Sequence, residues 1–351
     1  MNPDWQNFLQ QQGALLHDDI VQHFGDAQGE LAAAQSGTVL CDLSQFGMLK
    51  VSGEDAQSFL QNMFSSDVKA VTPAQAQLSS FNTAKGRMLA SFLVWQTGVD
   101  YYLHLPQSLC SAMQKKLSMY VLRAKVKIED ASTQQVSIGL SGKNATELLK
   151  ENVFSQIPQD IFAVQQGVHF DIHQPHYSVI RIGTERFQII TTPEHAPALW
   201  QSLSAAAHTA GSNCWDWLNI RDGIPVILPA TQEQFVPQMA NLDLIGGVSF
   251  KKGCYPGQEI VARMQYLGKL KRRMYLAHIE GNTVPQPGDE LYSAEMEGQA
   301  SGMVVNATAA PGGGCDLLAV VQTSSRETQT VRLQSLQGAA LSFLPLPYAI
   351  P

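Results

Sequence analysis

The spacing of the apolar residues switches repeatedly along this chain, and that switching limits the folds it can adopt. One helix face is predicted by Ala56, Phe59, Leu60, Met63 and Phe64. Between Gln77 and Leu105 the apolar residues form short runs separated by Gly and polar residues, as in paired antiparallel strands. Two further strands are predicted to flank a turn at residues 183–185. Because helices mix with mostly antiparallel strands, the predicted fold class is α+β.

The two ends of the chain differ from its middle. Residues 1–37 are rich in Gln and Ala and place Trp5, Leu9 and Leu16 roughly at helical spacing, which predicts a helical arm that packs on the body. After Arg273 the apolar stretches are short and punctuated by Pro and Gly, which predicts a small C-terminal β-barrel. With 351 residues, of which 44% are hydrophobic, the chain can bury the core that such a fold needs.

Charge is unevenly distributed along the chain. The total is −7, yet residues 251–273 contain seven Lys or Arg and one acid, Glu259, so this strip carries +6 and leaves −13 for the rest. An acidic protein with one basic strip is not expected to bind nucleic acid indiscriminately, but the strip could steer one anionic partner to one place. A solvated charged face is the alternative explanation of the strip.

Several classes of protein are excluded by the sequence. No apolar run approaches the roughly 20 residues that span a bilayer, so no membrane contact is predicted and the protein is expected in the cytoplasm. The five cysteines are scattered and never spaced as Cys-x-x-Cys, which argues against a disulfide framework and structural zinc. His169, His173 and His176 could supply imidazole ligands, but Pro175 places them at a loop or strand edge, and no metal site is predicted.

The densest chemical signal lies in residues 250–263. Its glycines permit tight turns, and Pro256 can start a helix. The apolar positions predicted to face the core are Ile260, Val261 and Met264. Cys254 then lies just before a helix N-terminus, where the partial positive charge of the helix, together with Lys251 and Lys252, favours the thiolate. A nucleophilic or metal-binding cysteine is one interpretation; a small buried apolar residue, as most free cysteines are, is the other.

These residues match a known family. The run KGCYPGQEIVAR resembles the K-G-C-Y-x-G-Q-E signature of the YgfZ proteins, which are folate-binding, tRNA-modification-linked relatives of the glycine-cleavage aminomethyltransferase. The motif residues are Lys252, Gly253, Cys254, Tyr255, Gly257, Gln258 and Glu259. Similarity extends to further blocks of the family at residues 59–68, 85–88, 218–225, 234–242 and 344–348. The resemblance covers the chain from about Val39 to Tyr348.

The resemblance implies an aminomethyltransferase-like three-domain folate-binding fold, with mixed, mostly antiparallel sheets and a C-terminal β-barrel, arranged around a central hole that holds folate. The basic signature segment is expected near the mouth of that hole. The implied parts are an N-terminal helical arm (1–37), a folate-binding α+β domain (38–50 with 131–250), a second α+β domain (51–130), the signature segment (251–273) and the β-barrel (274–351).

Folate, as tetrahydrofolate, is the cofactor that the resemblance implies. The family's two folate-flanking tryptophans correspond to Phe46 and Trp215, and a stacking face suits a flat pterin, although core packing is the alternative role of Trp215. Phe46 keeps a stacking face but loses the indole N–H. Relatives usually carry Glu where this chain has Arg221, and Arg offers a pterin only donors. Asp222 could substitute if the backbone rotates, although adjacent residues on a strand point to opposite faces.

The function that the resemblance implies is that of a folate-binding accessory protein, which supports iron–sulfur cluster assembly or repair and thereby tRNA modification. Cys254 would act as a thiolate towards a cluster, a persulfide or a client, and Lys252 would favour its ionisation. The expected partners are folate and iron–sulfur client proteins such as tRNA methylthiotransferases.

Two other functions fit parts of the sequence. One is a tetrahydrofolate-dependent one-carbon transferase. Aminomethyltransferases use a carboxylate where this chain reads Ala90-Ser91, so aminomethyl transfer is not expected, and neither is a stand-alone enzyme. The other is a weak direct contact with tRNA through the Lys269–Arg273 strip, whose affinity would fall steeply with salt. Contact with a client protein is preferred, because the rest of the chain is acidic.

Overall fold

The computed structural model describes residues 1–168, 176–266, 268, 270–281, 283–296 and 298–351. The chain folds into two compact units, each assembled from separate stretches of sequence. The first unit comprises Met1–Gln57, Lys69–Gln77 and Leu93–Trp215. The second comprises Ser58–Val68, Leu78–Phe92 and Asp216–Pro351.

Helices and strands mix throughout the described residues, as the α+β class requires. The helices are α1 Pro3–Gln11, α2 Ala27–Ser36, α3 Ala56–Met63, α4 Gln107–Val121, α5 Ala145–Asn152, α6 Ala196–Ser204, α7 Ser212–Arg221, α8 Gln258–Tyr266 and α9 Thr323–Thr328. The strands are β1 Leu15–His17, β2 Ile20–His23, β3 Thr38–Asp42, β4 Phe46–Ser52, β5 Gln77–Asn82, β6 Met88–Thr97, β7 Asp100–Pro106, β8 Lys127–Asp130, β9 Val136–Gly142, β10 Val164–Val168, β11 His176–Gly183, β12 Arg186–Thr191, β13 His208–Ala210, β14 Arg272–Ile279, β15 Glu290–Tyr292, β16 Ala300–Ala309, β17 Cys315–Gln322, β18 Arg332–Leu333 and β19 Ser342–Leu344.

The described strands form one hairpin and three larger sheets. The hairpin joins β1 and β2, and the larger sheets have the strand orders β10-β11-β12-β9-β3-β13, β5-β6-β7-β4-β8 and β18-β15-β16-β17-β14-β19. Strand β13 runs parallel to β3. Neighbours such as β12 and β9, β4 and β7, or β16 and β17 run antiparallel. The predicted mixed, mostly antiparallel arrangement is therefore confirmed.

The N-terminal segment consists of two helices separated by a hairpin. The turn between β1 and β2 contains Asp18 and Asp19 with φ of 49° and 61°, the left-handed geometry typical of a two-residue hairpin turn. Leu16 therefore lies on a strand, although its spacing suggested a helix. Trp5 on α1 is buried in the core of the first unit, where its Nε1 donates a hydrogen bond of 2.7 Å to the Asp42 carboxylate. Packing of the arm on the body thus depends on this indole.

The predicted hairpin in the middle of the chain is confirmed. Strands β6 and β7 are antiparallel, and Trp95 lies directly opposite Tyr102. Helix α4 follows β7 without a loop and buries the apolar residues Leu109, Met113 and Leu117. The pairing of β6 with β7 brings the rings of Trp95 and Tyr102 together on one face of the sheet, because residues directly opposite each other on paired strands share a face.

The C-terminal part of the second unit forms the predicted β-barrel. Leu341 N donates to Val331 O, and Leu333 N donates to Ala339 O, each at 2.9 Å. A few residues later β19 pairs with β14, where Phe343 lies opposite Ala277. The stretch from residue 339 to residue 344 therefore bonds first to the β18 edge and then to the β14 edge, so the sheet curls towards closure.

Two local expectations were wrong. Helix α8 forms, but Ile260 is 37% exposed, whereas its neighbour Val261 is fully buried. The nine-residue helix turns only one stripe inward, and that stripe runs through Val261. Arg221 is the last residue of helix α7 and not part of a strand. The argument that Asp222 must point to the opposite face therefore does not apply, since successive helical residues are separated by about 100°.

Candidate functional site

Cys254 is the exposed cysteine of the chain. It lies in the loop before α8, while Cys41, Cys110, Cys214 and Cys315 are buried. Burial raises the pKa of Cys110 to about 12 and also raises the pKa values of Cys41 and Cys315, so these three stay protonated thiols. A reagent or partner in solution can reach only the sulfur of Cys254. The interpretation of Cys254 as a buried apolar residue is therefore wrong.

Lys252 anchors the segment that carries this thiol. Its Nζ donates to three main-chain carbonyls at the C-terminal end of α3: Gln61 O at 2.5 Å, Phe64 O at 2.6 Å and Ser66 O at 2.9 Å. An ammonium has three donors, and all three are used. A cation is also favoured at a helix C-terminus, where the carbonyl dipoles are negative. The side chain is 9% exposed, and this burial lowers the pKa of Lys252 to about 8, while the Asp67 carboxylate acts in the opposite direction.

Tyr255 and Gln258 secure the same segment from within. The Tyr255 ring centroid lies 5.1 Å from Lys252 Nζ, a distance at which the ring face attracts a cation. Burial raises the pKa of Tyr255 to about 12, so its hydroxyl remains neutral. Gln258 Nε2 donates to Lys252 O at 3.3 Å, which ties the first turn of α8 back to the anchoring lysine. Glu259 lies in the same turn and is exposed, a favourable place for an acid at a helix N-terminus.

The two glycines of the motif have different surroundings. Gly257 has φ of 79°, and a Cβ there would lie 2.5 Å from Thr83 O and closer still to the Gly86 Cα atom. Glycine adopts this conformation without strain, and only a residue without a Cβ permits this backbone approach. Gly253 has open space where a Cβ would be and carries no such constraint. The family blocks at residues 85–88 and 252–259 are therefore in direct contact, which explains why both contain glycine.

Phe46 lies beside a buried histidine. It begins β4, and its ring centroid is 4.9 Å from that of His104 on β7. His104 is 7% exposed, its Nε2 has no hydrogen-bond partner among the described residues, and burial lowers its pKa to about 3. A cavity of about 20 Å³ adjoins both rings, with Ser44, Gln107 and Ser132 also in its wall. This space suits one water-sized group and is too small for a pterin.

Trp215 is packed by groups of the first unit. The indole is 2% exposed. The Arg186 guanidinium carbon lies 4.0 Å from the ring centroid, and the Gly139 backbone is so close that a Cβ there would overlap the ring carbons. Arg186 also donates to Trp215 O at 3.1 Å. The ring is therefore stacked on a cation in the described structure, and the flanking of folate by Phe46 and Trp215 remains a prediction.

A larger cavity lies in the first unit beside residues that the sequence did not single out. It has a volume of about 200 Å³. Its wall contains the stacked rings of Trp95 and Tyr102, whose centroids are 5.5 Å apart. The polar part of the wall includes Gln135, Ser178 and Thr192, and Thr192 Oγ1 is buried without a partner among the described residues. The opposed aromatic residues of the predicted hairpin were the signal that could have revealed it.

Arg221 belongs to a network of side chains in the second unit. Its guanidinium lies 3.5 Å from Asp316 Oδ2. The same carboxylate accepts a hydrogen bond of 2.9 Å from Trp217 Nε1, and its other oxygen is 2.8 Å from His278 Nδ1. A Glu in place of Arg221 would bring a second negative charge towards Asp316. Attraction to the Asp316 carboxylate therefore explains why an arginine is favourable here. A role of Arg221 in binding a cofactor remains a prediction.

Ser91 lies on β6, at the position where the family resemblance implies an acid in the aminomethyltransferases. Its hydroxyl donates to Pro225 O at 2.9 Å and accepts from Ile227 N at 3.1 Å, and Ala90 beside it is fully buried. This strand position therefore holds the 225–227 loop in place.

Three further expectations concern a metal site, a contact with tRNA and a membrane span. His169, His173 and Lys269 lie outside the described residues. Within the described ranges, no group of three or more metal-ligating side chains is found. In the same part of the chain, every helix is too short or too polar to cross a membrane.

Comparison with known proteins places this architecture. The family model described as "GCVT N-terminal domain" matches residues 7–252. The solved structure of glycine cleavage system aminomethyltransferase T from Bartonella henselae superposes with a TM-score of 0.81 and 17% identity, over 99% of this chain and 97% of that chain. At this identity the likeness concerns the fold alone, and it confirms the predicted aminomethyltransferase-like fold.

Two relatives with similar sequences share one name, "tRNA-modifying protein YgfZ". The protein from Pectobacterium carotovorum subsp. carotovorum (strain PC1) is 31% identical over 326 residues, which cover 92% of this chain and 96% of the relative. The protein from Yersinia pseudotuberculosis serotype IB (strain PB1/+) is 29% identical over 325 residues, with the same coverage. Since this similarity runs through nearly the whole chain, the protein belongs to the YgfZ family.

Proposed function

We propose that this protein is a folate-binding accessory factor that supports the assembly or repair of iron–sulfur clusters and thereby tRNA modification, with Cys254 as its reactive group. The observation that carries the proposal is the exposure of Cys254 on a segment that Lys252 fixes to three carbonyls of the second unit. The name of the relatives supports the link to tRNA modification.

The chemistry of Cys254 fits work on iron and sulfur. A thiolate is the ligand that iron–sulfur clusters use, and it is also the nucleophile that attacks a sulfane sulfur. One exposed thiol cannot supply the four ligands of a resident cluster, so it is suited to a transient contact with a cluster in another protein. Lys252 holds the loop in place for that contact. Its predicted effect on the ionisation of Cys254 forms part of the proposal.

Folate would be held in the first unit. The cavity of about 200 Å³ is larger than the roughly 150 Å³ that accommodates a benzene ring, and its aromatic wall suits a flat heterocycle. Thr192 Oγ1 has an unused hydrogen-bonding position there, and Gln135 and Ser178 can pair with ring N–H and carbonyl groups. Phe46 and His104 line the smaller neighbouring space, and Gln135 belongs to both walls. When bound, a reduced folate supplies a one-carbon carrier.

The proposal is tested by replacing the reactive sulfur. In a strain that lacks the chromosomal gene, Cys254→Ser should reduce methylthiolated nucleosides in tRNA to the level of the deletion, as measured by mass spectrometry of tRNA digests. Because the residue is exposed, the substitution should change the free energy of unfolding by less than about 0.5 kcal/mol. The buried Cys315→Ala variant is the matched control and should support modification as the wild type does. Normal tRNA thiolation with Cys254→Ser would refute the role of the thiol.

A further inference from the structure

A second basic segment lies at the end of α4, far in sequence from the signature. Residues 115–127 contain five Lys or Arg and no acid, in a chain whose net charge is −7. The structure places three of these cations among exposed apolar side chains. We call this surface the α4 patch and define it as Lys115, Lys116, Met119, Tyr120, Leu122 and Arg123.

The geometry of α4 gathers these side chains on one surface. Residues four apart on a helix are neighbours, so Lys115 adjoins Met119 and Lys116 adjoins Tyr120. Leu109, Met113 and Leu117 face the core, and Tyr120 continues this side of the helix at its exposed last turn. Met119 points away from this side and Leu122 lies beyond the helix end, so neither is a core residue.

These apolar side chains are unusually exposed. Met119 is 75% exposed, Tyr120 48% and Leu122 88%. Single exposed apolar residues are ordinary on protein surfaces, but three within four residues form a group that marks an interaction site.

Leu122 is also held in a strained conformation. It terminates α4 with φ of 47° and ψ of −104°, in the region of positive φ that residues with a Cβ rarely adopt. Such a conformation is energetically unfavourable and is found mostly at functional positions. The positive φ and the exposed apolar side chain of Leu122 both lower the stability of the folded protein. Leucine at this position is therefore not explained by folding or by packing of the first unit.

The charges of the patch remain available for a partner. Lys115, Lys116 and Arg123 form no ion pair within the described ranges. Two nearby cations differ in this respect, since Lys125 pairs with Glu54 and Lys127 with Glu129, each at 2.7 Å. Three unpaired cations around apolar side chains are complementary to an acidic surface with an apolar centre.

We propose that the α4 patch docks an acidic, amphipathic segment of a partner protein. The partner is an iron–sulfur client, so this inference rests on the proposed function. Tyr and Arg dominate the binding energy of protein interfaces, and a flexible Met adapts to the shape of a partner. RNA would instead use phosphates for the cations and aromatic rings for its bases. The two most exposed members, Met119 and Leu122, offer a base no stacking face, which favours a protein.

The test measures binding of a purified tRNA methylthiotransferase by isothermal titration calorimetry. Met119→Ser combined with Leu122→Ser should weaken binding at least about tenfold, as loss of a central apolar contact does. Arg123→Gln should weaken binding and reduce its dependence on salt. The matched controls are Leu336→Ser, another exposed leucine, and Lys143→Gln, an exposed cation outside the patch, and each should bind within about twofold of the wild type.

Three outcomes would overturn the docking proposal. They are absence of binding by the wild type, an equal effect of patch and control variants, and patch variants that lose binding to tRNA while binding the methylthiotransferase normally. Circular dichroism and thermal unfolding of each variant show whether the first unit is still folded. The two proposals have different readouts, since Cys254→Ser is measured by tRNA thiolation and the patch variants by binding of the methylthiotransferase. If Cys254→Ser supports tRNA thiolation, the proposed function fails while docking at the patch can stand.

Discussion

Lys252 combines charge with position at the scale of a single residue. Its three donors are taken by Gln61, Phe64 and Ser66, and its charge lies at the C-terminal end of α3. The sequence suggested that this lysine acts on the ionisation of Cys254. The contacts support a positioning role, in which the ammonium fixes the loop and the loop presents the thiol. Lys251 next to it is exposed, so the two lysines of the motif region are not equivalent.

His104 predicts how stability depends on pH. The ordinary pKa of a histidine is about 6.5. In the folded protein the pKa of His104 is lowered to about 3, because burial disfavours the charged ring. Between about pH 3 and pH 6.5, His104 therefore binds a proton in the unfolded chain but not in the folded protein. The contribution of the neutral ring to stability is complete above pH 6.5 and is lost as the pH falls towards 3.

The comparison of wild type with His104→Gln isolates this residue, since the other groups titrate alike in both proteins. Between pH 7 and pH 4.5 the wild type should lose roughly 2 to 3 kcal/mol more free energy of unfolding than the variant. Urea titrations at the two pH values measure the difference. If both proteins lose the same free energy of unfolding, folding does not lower the pKa of His104.

At the scale of the element, the signature segment is a loop held from several sides. Lys252 binds the C-terminal end of α3 and the residues after it, Gln258 binds Lys252 O, and Gly257 packs on the turn at Gly86. Cys254 lies between these contacts and is itself exposed. The motif thus combines three positions that hold the loop with one exposed cysteine.

The two motif glycines provide a matched test of this arrangement. Gly257→Ala should lower the free energy of unfolding by about 2 to 3 kcal/mol, because φ is positive and the new Cβ would overlap the Gly86 backbone. Gly253→Ala should change it by less than about 0.5 kcal/mol, since a Cβ there meets open space. Chemical denaturation of both variants gives the comparison. A Gly257→Ala protein as stable as Gly253→Ala would mean that the loop does not pack on this turn.

At the scale of the whole molecule, local patterns predicted the elements well. Apolar spacing identified α3 and the β6–β7 hairpin, and turn residues identified the barrel. The N-terminal hairpin was missed, because Asp18 and Asp19 can occupy a solvated helix face as readily as a turn. Near the end of an element, the spacing of apolar residues alone does not distinguish a helix from a hairpin turn.

The site was less predictable than the fold, since its contacts join distant parts of the chain. Arg221 meets Asp316, which lies 95 positions later in the sequence, and no local pattern reveals that pairing. Trp95 and Tyr102 were visible as aromatic residues of a hairpin, but Ser178 and Thr192 come from strands that follow much later. By contrast, Cys254 was found directly, because a motif of contiguous residues carries it.

Alkylation of the native protein, mapped by mass spectrometry, tests most directly whether one accessible thiol is presented by a fixed loop. Iodoacetamide at neutral pH should modify Cys254 in the folded protein. Cys41, Cys110, Cys214 and Cys315 should react only after unfolding, because all four are buried. Protection of Cys254 in the folded protein, or equal labelling of all five cysteines, would contradict the structure of the site and the function proposed for it.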